Sequence, residues 1–416
     1  MLSVSDAEKI ILDLVQPLDK ERDAEVVTLL TAIERILAAP IVSQLDFPHW
    51  DNSAMDGYAV RYEDVKHCSD EPAGLEIVEE IAAGQKPQHS IQPGQAARIL
   101  TGAVMPSGAD TVVMQEMTRR EGSVVLILAS PEPQAFVRHR ASFYQAGTLL
   151  LPPGIILNAP EIAVLAAAQC TQLQVYQRPR VAILSTGDEL VLPDQQLRIG
   201  QIVDSNQYAL AALVAQTGAE PLQLGIVPDE KEALTEAIAR AITTSDVVLS
   251  SGGVSVGDYD YVEQILESLG ACIHIRAVAV KPGKPLTFAT FSASGASNHK
   301  PVLYFGLPGN PVSALVSFWR FVQPALKKLS GLSHNWGPVF VRARSRHDLH
   351  SDGKRETYLW GQLHLLAGNY EFQLASGNHS SGNLINVAQT TGLALLPVGK
   401  ALIRAGETVQ VLQISA

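Results

Sequence analysis

Apolar residues recur at helical spacing through most of the first forty residues, in "AEKIILDLV" and in "EVVTLLTAIERILAAPI". Asp6 is suited to cap the first stretch, because its side-chain oxygen can accept the free backbone N–H groups of a helix start. Pro40 ends the second stretch, since a proline inside a helix removes a hydrogen bond. The pattern therefore predicts two helices in this region.

The pattern changes from about Gln44 to Ala135, where β-branched runs such as "SVVLILA" are separated by glycine, proline and acidic turns. Short runs of this kind predict a small all-β module. The following stretch, Gly147–Cys170, predicts a strand, a Pro-Gly turn and then a helix. Asn158 is expected to cap this helix, and Pro160 lies in its first turn.

From about Arg178 onward, strongly apolar runs alternate with amphipathic stretches, which predicts alternating strands and helices. The strands are "RVAILST", "PLQLGIV", "DVVLSSGG" and "VLYFGLPG", and the helices are "NQYALAALVAQTG", "DEKEALTEAIARAI", "YDYVEQILESLG" and "NPVSALVSFWRFVQPALKKL". Asn206 is expected to cap the first of these helices, and Gly218 to end it. Continuous apolar strands in this order predict a parallel sheet covered on both faces, which would bind ligands at the carboxyl ends of its strands. From about Gly331 the short strands return and predict another β module.

The composition is that of an ordinary globular protein with several domains. The chain has 416 residues, of which 46% are hydrophobic and 18% are charged, and its formal net charge is −11. This acidic balance argues against nonspecific nucleic-acid binding, which needs a basic face. The three cysteines form no CxxC pair, which is typical of thiols in a reducing cytoplasm. The amino terminus has no signal-peptide pattern, and no apolar run approaches the ~20 residues of a membrane span.

Three of the predicted strands end in polar, glycine-bearing loops, Ser185–Leu190, Ser250–Asp258 and Gly306–Ser313. Each loop leads toward a helix, and the unpaired backbone N–H groups of such loops can bind anions. One loop of this kind is more often a structural connection, but three at one edge of a sheet favour an anion site. The chain has neither a Walker lysine pattern nor GxGxxG, which argues against a P-loop NTPase and a Rossmann dehydrogenase.

Cations and acids accompany these loops. Lys281 and Lys284, in "KPGKPL", form either a solvated basic turn or a site for an anion between them. Helix capping alone can explain Asp229 and Asp258, whereas the alternative is a Mg²⁺ site that uses several of the acids. Magnesium binds a few carboxylates together with phosphate oxygens, so acids and anion loops can share one pocket. The acids in question are Asp188, Glu189, Asp204, Asp229, Asp258 and Asp260.

A second set of polar side chains lies outside the predicted sheet, in His49–Val60 and Ile99–Glu116. For these segments, taken alone, a structural turn and a functional role are equally open. Histidines such as His139 and His274 are scattered and form no HxxxH pair, so we expect them not to bind metal.

Seven motifs in the chain resemble those of one enzyme family. In order they are "DNSAMDGYAV", "TGAVMPSGADTVV", "STGDEL", "GQIVDSNQYAL", "SSGGVSVGDYDY", "KPGKP" and "GLPGNPVSAL". They closely resemble the molybdopterin molybdenumtransferases of the bacterial MoeA type, which are related to the E domain of gephyrin. The motifs span residues 51 to about 313, and a weaker C-terminal similarity extends the resemblance over essentially the whole chain.

The resemblance implies an elongated, cytoplasmic homodimer of a multidomain α/β plus β protein. The implied domains are a helical dimerisation domain (residues 1–44 and 137–178), a small β domain (45–136), a doubly wound, parallel-sheet α/β domain of the molybdopterin-binding type (179–329) and a C-terminal β-barrel-like domain (330–416). The implied activity is insertion of molybdate into adenylated molybdopterin with Mg²⁺-dependent release of AMP. Implied partners are the adenylyltransferase that supplies this substrate and the molybdoenzyme apoproteins that receive the product.

The matching motifs also imply roles for individual residues. The implied catalytic residues are Asp56, Thr101, Glu189, Asp260, Lys281 and Lys284, and the implied magnesium ligands are Glu189, Asp229 and Asp260. The implied substrate-binding residues are Ser185, Thr186, Gly187, Ser205, Asn206, Ser251, Gly252, Gly253, Ser255, Gly257, Asp258, Pro308, Gly309, Asn310, Pro311, Arg138, Arg355 and Ser381. An oxyanion substrate suits Arg, Lys, Ser and backbone N–H donors, so catalysis would rest on positioning and electrostatic stabilisation.

One segment departs from the family pattern N-[IV]-R-x-x-G-[ES]-D, which is followed by a glycine four residues on. In "FVRHRASFYQAG" the positions of the Asn, the Gly and the Asp hold Phe136, Ala141 and Phe143. In "GNLINVA", Asn386 stands where a serine is common. Because phenylalanine cannot bind a cation through oxygen, a paralogue that carries molybdopterin without inserting metal stays an alternative. A pterin adenylyltransferase is a third reading, since "SSGGVSVGD" resembles loops of that related family.

Overall fold

The structure, a computed structural model, describes residues 1–69, 71–252, 259–292 and 300–414, apart from the side chains of residues 259–261. It divides into two compact units. The larger unit comprises Met1–Ala39, Pro153–Ile162 and Gln172–Ala416, and the smaller comprises Pro40–Pro152 and Ala163–Thr171. None of the described helices is both long and apolar enough to span a membrane.

A six-stranded sheet forms the centre of the larger unit. In spatial order its strands are Glu220–Val227, Arg180–Thr186, Val247–Ser251, Val302–Leu307, Pro285–Phe291 and Ala271–Ala277. The first four run parallel, as the sequence predicts. The apolar pattern did not reveal the last two, each of which pairs antiparallel with the strand before it in this order. Ser185 pairs in register with Ser251, and Ser251 with Leu307. The loops that follow these three strands therefore leave the same edge of the sheet.

Helices cover both faces of this sheet. The helices of the larger unit are Val4–Leu14, Asn206–Gln216, Lys231–Thr244, Tyr259–Ser268, Pro311–Ser317 and Gln323–Leu329, and a π-helical turn, Phe318–Val322, joins the last two. Val181 and Ile183 belong to the core cluster on one face, and Ala182 and Leu184 to the cluster on the other. Burial on both faces explains why this strand is apolar at every position.

The predicted helix up to Pro40 is wrong. Ala24–Thr28 is a strand that pairs antiparallel with Gln172–Tyr176, and Leu30–Ala32 is a short 3₁₀ turn. The β-branched residues of this segment fit a strand, and pairing with a distant segment overrides the helical spacing.

Two predicted helix caps are shifted by a few residues. Ser3 caps the helix Val4–Leu14 by accepting the backbone N–H of Asp6 at 3.1 Å, so Asp6 lies in the first turn. Ser205 is the N-cap of Asn206–Gln216, and Asn206 is its first helical residue. The side chains of Asp6 and Asn206, which the sequence predicts as caps, can therefore make other contacts.

The other two β regions take the predicted forms. The small sheet of the smaller unit has the strand order Thr111–Met114, Gly57–Val60, Gln95–Ile99, Ala73–Ile81, Val124–Ile127 and Thr118–Glu121. The C-terminal strands, in the order Glu356–Leu366, Asn369–Leu374, Phe340–Ser345, Thr408–Gln413 and Gly392–Leu396, close into a barrel because the last pairs with the first. Val280–Lys281 adds to the barrel strand Glu356–Leu366. This pairing brings the "KPGKPL" loop to the C-terminal barrel.

Shorter pairs complete the fold. They are Asn52–Ser53 with Val137–Arg138, Ile41–Val42 with Leu149–Leu151, Leu190–Val191 with Ile202–Val203, and Leu349–His350 with Leu402–Ile403. The remaining described helical segments are Tyr62–Val65, Ala159–Ala167, Gln115–Met117 and Leu384–Val387.

Candidate functional site

Two buried hydroxyl groups stand at the carboxyl end of the strand Arg180–Thr186. Ser185 is 1% exposed and Thr186 5% exposed. Neither side-chain oxygen has a hydrogen-bond partner among the described residues. A buried hydroxyl without a partner costs about 1–3 kcal/mol, so polar groups of this kind mark a place for a ligand or for a loop that covers them. Gly253, Ser255, Gly257 and Asp258, which follow the neighbouring strand, lie outside the described residues.

The side-chain amide of Asn206 joins the two other loops at this edge. Its Nδ2 atom donates to Ser251 Oγ at 2.7 Å and to the carbonyl oxygen of Gly309 at 2.8 Å. Asn206 is 9% exposed, so these hydrogen bonds are shielded from water. Asn206 therefore positions the ends of two strands, a role that the motif match did not indicate.

Close backbone packing draws the first loop against the second. A Cβ atom on Gly252, whose φ is +98°, would lie 2.2 Å from the carbonyl oxygen of Thr186. A Cβ on Gly187 would lie 2.7 Å from the Glu189 carboxylate. Only glycine allows this approach, and it leaves the Glu189 carboxylate beside the loop backbone.

The third loop begins the helix Pro311–Ser317. Pro308 and Gly309 follow the strand Val302–Leu307, and Asn310 is the N-cap but makes no side-chain capping bond. The backbone N–H of Val312 donates to the carbonyl oxygen of Ser381 at 3.1 Å. Ser381, a predicted substrate-binding residue from the C-terminal region, therefore lies next to the third loop.

Two of the acids at this edge, Asp204 and Asp188, accept hydrogen bonds from neighbouring residues. Asp204 is buried and accepts from the backbone N–H and the Nε2 of Gln207 at 3.2 and 3.1 Å, so it holds the local structure. Asp188 accepts the backbone N–H of Asp229 at 3.2 Å, which links the loops after two adjacent strands. Among the described residues, no group of three or more His, Cys, Asp or Glu side chains is placed to hold a metal ion. The Asp260 side chain lies outside the described atoms.

The two lysines of "KPGKPL" differ in their surroundings. Lys281 Nζ lies 3.2 Å from the carboxylate of Asp352, whereas Lys284 is exposed and has no ion-pair partner among the described residues. Arg355 donates from Nη1 to the carbonyl oxygen of Val280 at 3.3 Å, so it is next to this loop. The sequence reasoning missed Asp352; an acid three positions before Arg355 was the available signal.

In the smaller unit, Asp56 and Thr101 are in direct contact. Asp56 Oδ1 accepts from the backbone N–H and from the hydroxyl of Thr101, each at 2.7 Å. These hydrogen bonds lower the pKa of Asp56, so the exposed carboxylate stays ionised. The sequence predicts both residues for the site, and the fold brings them together.

The segment that departs from the family pattern, residues 136–147, has two non-glycine residues with positive φ. Phe136 and Ala141 have φ values of +56° and +63°, in the left-handed region that favours asparagine and glycine. These are the two positions at which the family pattern has those residues. Phe143 is 63% exposed, and its ring centroid lies 5.7 Å from that of Phe47.

Two acids near this segment are engaged with basic residues. Asp51 accepts the backbone N–H of Arg140 at 2.7 Å and lies 3.2 Å from His139 Nδ1, and Asp46 pairs with the Arg140 guanidinium at 2.6 Å. The hydrogen bond from the Arg140 backbone lowers the pKa of Asp51, and that from the Ala146 backbone lowers the pKa of Asp46. Arg138, in the short strand Val137–Arg138, pairs in register with Asn52.

Models of protein families match three parts of the chain. They are the MoeA N-terminal region (domain I and II) at residues 2–168, a probable molybdopterin binding domain at 182–328 and the MoeA C-terminal region (domain IV) at 342–414. These matches cover the small β sheet, the α/β sheet and the C-terminal barrel.

Whole-chain comparisons agree with the family matches. A molybdopterin molybdenumtransferase of Nostoc sp. is 63% identical over 415 residues, which cover 100% of this chain and 94% of that protein. A molybdopterin molybdenumtransferase of Staphylococcus epidermidis is 32% identical over 387 residues, or 93% and 90% of the two chains. The crystal structure of the molybdopterin biosynthesis MoeA protein from Pyrococcus horikoshii OT3 matches with a TM-score of 0.82 and 28% identity, over 99% of this chain and 100% of that one. This chain therefore belongs to the MoeA family of molybdopterin molybdenumtransferases, the transferases of molybdenum cofactor biosynthesis.

Proposed function

We propose that the chain inserts molybdate into adenylated molybdopterin, releases AMP in a Mg²⁺-dependent reaction, and does so at the carboxyl edge of the α/β sheet. The observation that carries this proposal is the pair of buried hydroxyls, those of Ser185 and Thr186, which have no hydrogen-bond partner among the described residues and lie beside loops that Asn206 and Gly252 hold together. Hydroxyl groups and close glycine backbones suit the oxygen atoms of a phosphate. Ser205, Ser251, Pro308 and their loop neighbours would complete the substrate pocket.

The proposed oxyanion site consists of Lys281, Lys284 and Arg355, with Ser381 near the third loop. Molybdate carries two negative charges, and Arg and Lys donors bind such an oxyanion through charge-assisted hydrogen bonds. The contact of Arg355 with the Val280 carbonyl supports this grouping. The chain needs no nucleophile of its own in this scheme, because these residues hold and orient the reactants.

Magnesium fits the acids of the same edge when substrate is bound. Glu189 and Asp229 lie in loops that follow paired strands, and Mg²⁺ usually takes one or two carboxylates together with substrate phosphate oxygens and water. We assign Glu189, Asp229 and Asp260 to this role. The ion would stabilise the negative charge that develops on the departing AMP.

Asp56 and Thr101 serve the same reaction in this proposal. The two hydrogen bonds from Thr101 fix the orientation of the Asp56 carboxylate and keep it charged. An ionised, oriented carboxylate can order water or a metal-bound ligand during the transfer. The proposal includes a cytoplasmic homodimer that receives its substrate from an adenylyltransferase and passes its product to molybdoenzyme apoproteins.

The test mixes purified protein with adenylated molybdopterin, molybdate and Mg²⁺ and follows AMP release. We expect release that requires both molybdate and Mg²⁺, and a loss of it in Ser185→Ala/Thr186→Val with folding intact. The exposed variant Ser376→Ala, in the C-terminal barrel region, is the control. No release above background in the wild type would contradict the proposal.

A carrier without metal insertion is the second candidate, and Phe143 favours it. If the wild type binds adenylated molybdopterin in calorimetry but releases no AMP, this chain is the carrier. Binding and release together establish the transferase.

A further inference from the structure

A cavity of about 500 Å³ lies in the larger unit, away from the proposed site. Its wall includes Pro179, which directly precedes the strand Arg180–Thr186. At about 3.3 Å per residue, this seven-residue strand places roughly 20 Å between the cavity and Thr186. The cavity and the carboxyl edge are therefore separate sites.

Two basic residues of the cavity wall, Arg178 and Lys327, have no ion-pair partner among the described residues. The carboxylates of Asp19 and Asp23 lie nearby, where they add to burial in raising the pKa of Tyr176. Arg35 donates to the carboxylate of Glu25 and to the Tyr176 carbonyl oxygen. Lys327 is half-buried and has no partner among the described residues, and burial lowers its pKa. Arg178 makes one described contact, at 3.4 Å to a backbone carbonyl, which is longer than a normal N–H···O hydrogen bond. Glu34 is the acidic residue in the wall, and its side chain is exposed.

Two helices end beside the cavity, and a cation can simply stabilise a helix end. However, the backbone already supplies donors to the last turns of both helices. Leu213 and Ala215 accept from the N–H groups of Thr217 and Gly218 at 3.1 and 3.0 Å. Leu326 accepts from the N–H of Ser330 at 2.9 Å and from its hydroxyl at 2.8 Å. Lys327 is therefore not needed as a cap.

We propose that this cavity binds a small organic molecule that carries a phosphate group, with Lys327 and Arg178 as the groups that recognise the phosphate. Two positive charges match the charge of about −1.5 to −2 on a phosphate monoester near neutral pH. The volume lies within the range of about 300–1,000 Å³ that is usual for small-molecule sites. Tyr176, Ile156 and Leu332 offer apolar surface for the organic part. The inference does not depend on the proposed function.

The first test is calorimetry of the full chain with ribose 5-phosphate, ribose and inorganic phosphate. We expect saturable binding of ribose 5-phosphate, weaker binding of inorganic phosphate and none of ribose. Lys327→Met should weaken the binding of ribose 5-phosphate at least about tenfold, because it removes a charged donor. Lys400→Met, at an exposed position that does not line the cavity, should leave it unchanged.

Three results would overturn the inference: no saturable binding by the wild type, equal binding of ribose and its phosphate, or equal binding of ribose 5-phosphate by Lys327→Met and Lys400→Met. If inorganic phosphate binds as tightly as the sugar phosphate, the cavity is a simple anion site, and the proposal that it binds an organic ligand is wrong.

A second measurement needs no variant. Wild-type protein is treated with limiting acetic anhydride, and the modification of each lysine is measured by mass spectrometry. Ribose 5-phosphate should protect Lys327 several-fold and leave the exposed Lys400 unchanged. Equal modification of Lys327 with and without the sugar phosphate would contradict the proposal, even if Lys327→Met fails to fold.

Discussion

The carboxylate of Asp352 lies 3.2 Å from the ammonium group of Lys281. One of the two lysines in the proposed oxyanion site therefore already forms an ion pair with an acidic side chain of the protein. The two side chains are 34% and 45% exposed, and an exposed ion pair contributes about 0–1 kcal/mol. The Lys354 backbone N–H and Lys281 lower the pKa of Asp352, so it is charged at neutral pH. A divalent oxyanion can therefore compete with Asp352 for Lys281.

Asp352→Asn should lower the KM for molybdate by about two- to fivefold, because it removes an ion pair worth up to about 1 kcal/mol from the site. The measurement is AMP release as a function of molybdate concentration. Glu371→Gln removes a similarly exposed partner, that of Arg346, and should not change the KM. A KM that rises or stays constant in Asp352→Asn would show that this carboxylate does not compete with molybdate.

Asn206→Asp should impair the binding of adenylated molybdopterin more than tenfold. The change places a carboxylate against the carbonyl oxygen of Gly309 and removes the donor that joins it to Ser251. Loss of these shielded hydrogen bonds should also lower the free energy of unfolding by about 1–3 kcal/mol. Calorimetry with the substrate and thermal unfolding measure the two effects. Asn369→Asp, at the exposed start of the strand Asn369–Leu374, is the matched control, and similar losses in both variants would contradict a positioning role for Asn206.

The sequence predicted the α/β sheet well because burial on both faces makes its strands apolar at every position, as in Arg180–Thr186. It failed at Ala24–Thr28, where the decisive interaction is pairing with Gln172–Tyr176, about 150 residues away. Local spacing carries no information about such a partner.

The same reasoning applies to the proposed site. Ordered motifs predicted Asp56 and Thr101, and the fold brings them into contact. They did not predict that Asp352 pairs with Lys281 or that Asn206 holds two strand ends, because both contacts depend on how separate segments pack.

Phe143→Asp should raise the rate of AMP release several-fold while changing the free energy of unfolding by less than about 0.5 kcal/mol. The side chain is 63% exposed, so a charge at this position is solvated and the loss of packing is small. Phe143→Ala is the control, since it removes the ring without adding a carboxylate. If Phe143→Asp and the wild type turn over equally fast, the missing acid does not limit the reaction.

Ala141→Gly should stabilise the smaller unit by about 0.5–1 kcal/mol. At a φ of +63° an alanine Cβ is strained against its own backbone, whereas glycine adopts this conformation freely. Ala163→Gly, at an exposed position of the helix Ala159–Ala167, should have the opposite sign because glycine is unfavourable inside a helix. Thermal unfolding of both variants tests the pair, and a loss of stability in each would refute strain at Ala141.

Arg320→Met should destabilise the larger unit by about 3 kcal/mol, because Arg320 is a buried cation that joins three segments. Its side chain is 6% exposed, donates to both carboxylate oxygens of Glu8 at 2.8 Å and donates from Nε to the Tyr358 hydroxyl at 2.9 Å. Chemical denaturation gives the free energy of unfolding of Arg320→Met, Glu8→Leu and the double variant. Comparing the three separates the interaction energy of the ion pair from the cost of leaving one buried charge without its partner. If the pair acts as a unit, each single change leaves a charge without its partner, and the double variant recovers most of the loss. Single variants that each lose less than about 0.5 kcal/mol would mean that this contact behaves like an ordinary surface ion pair.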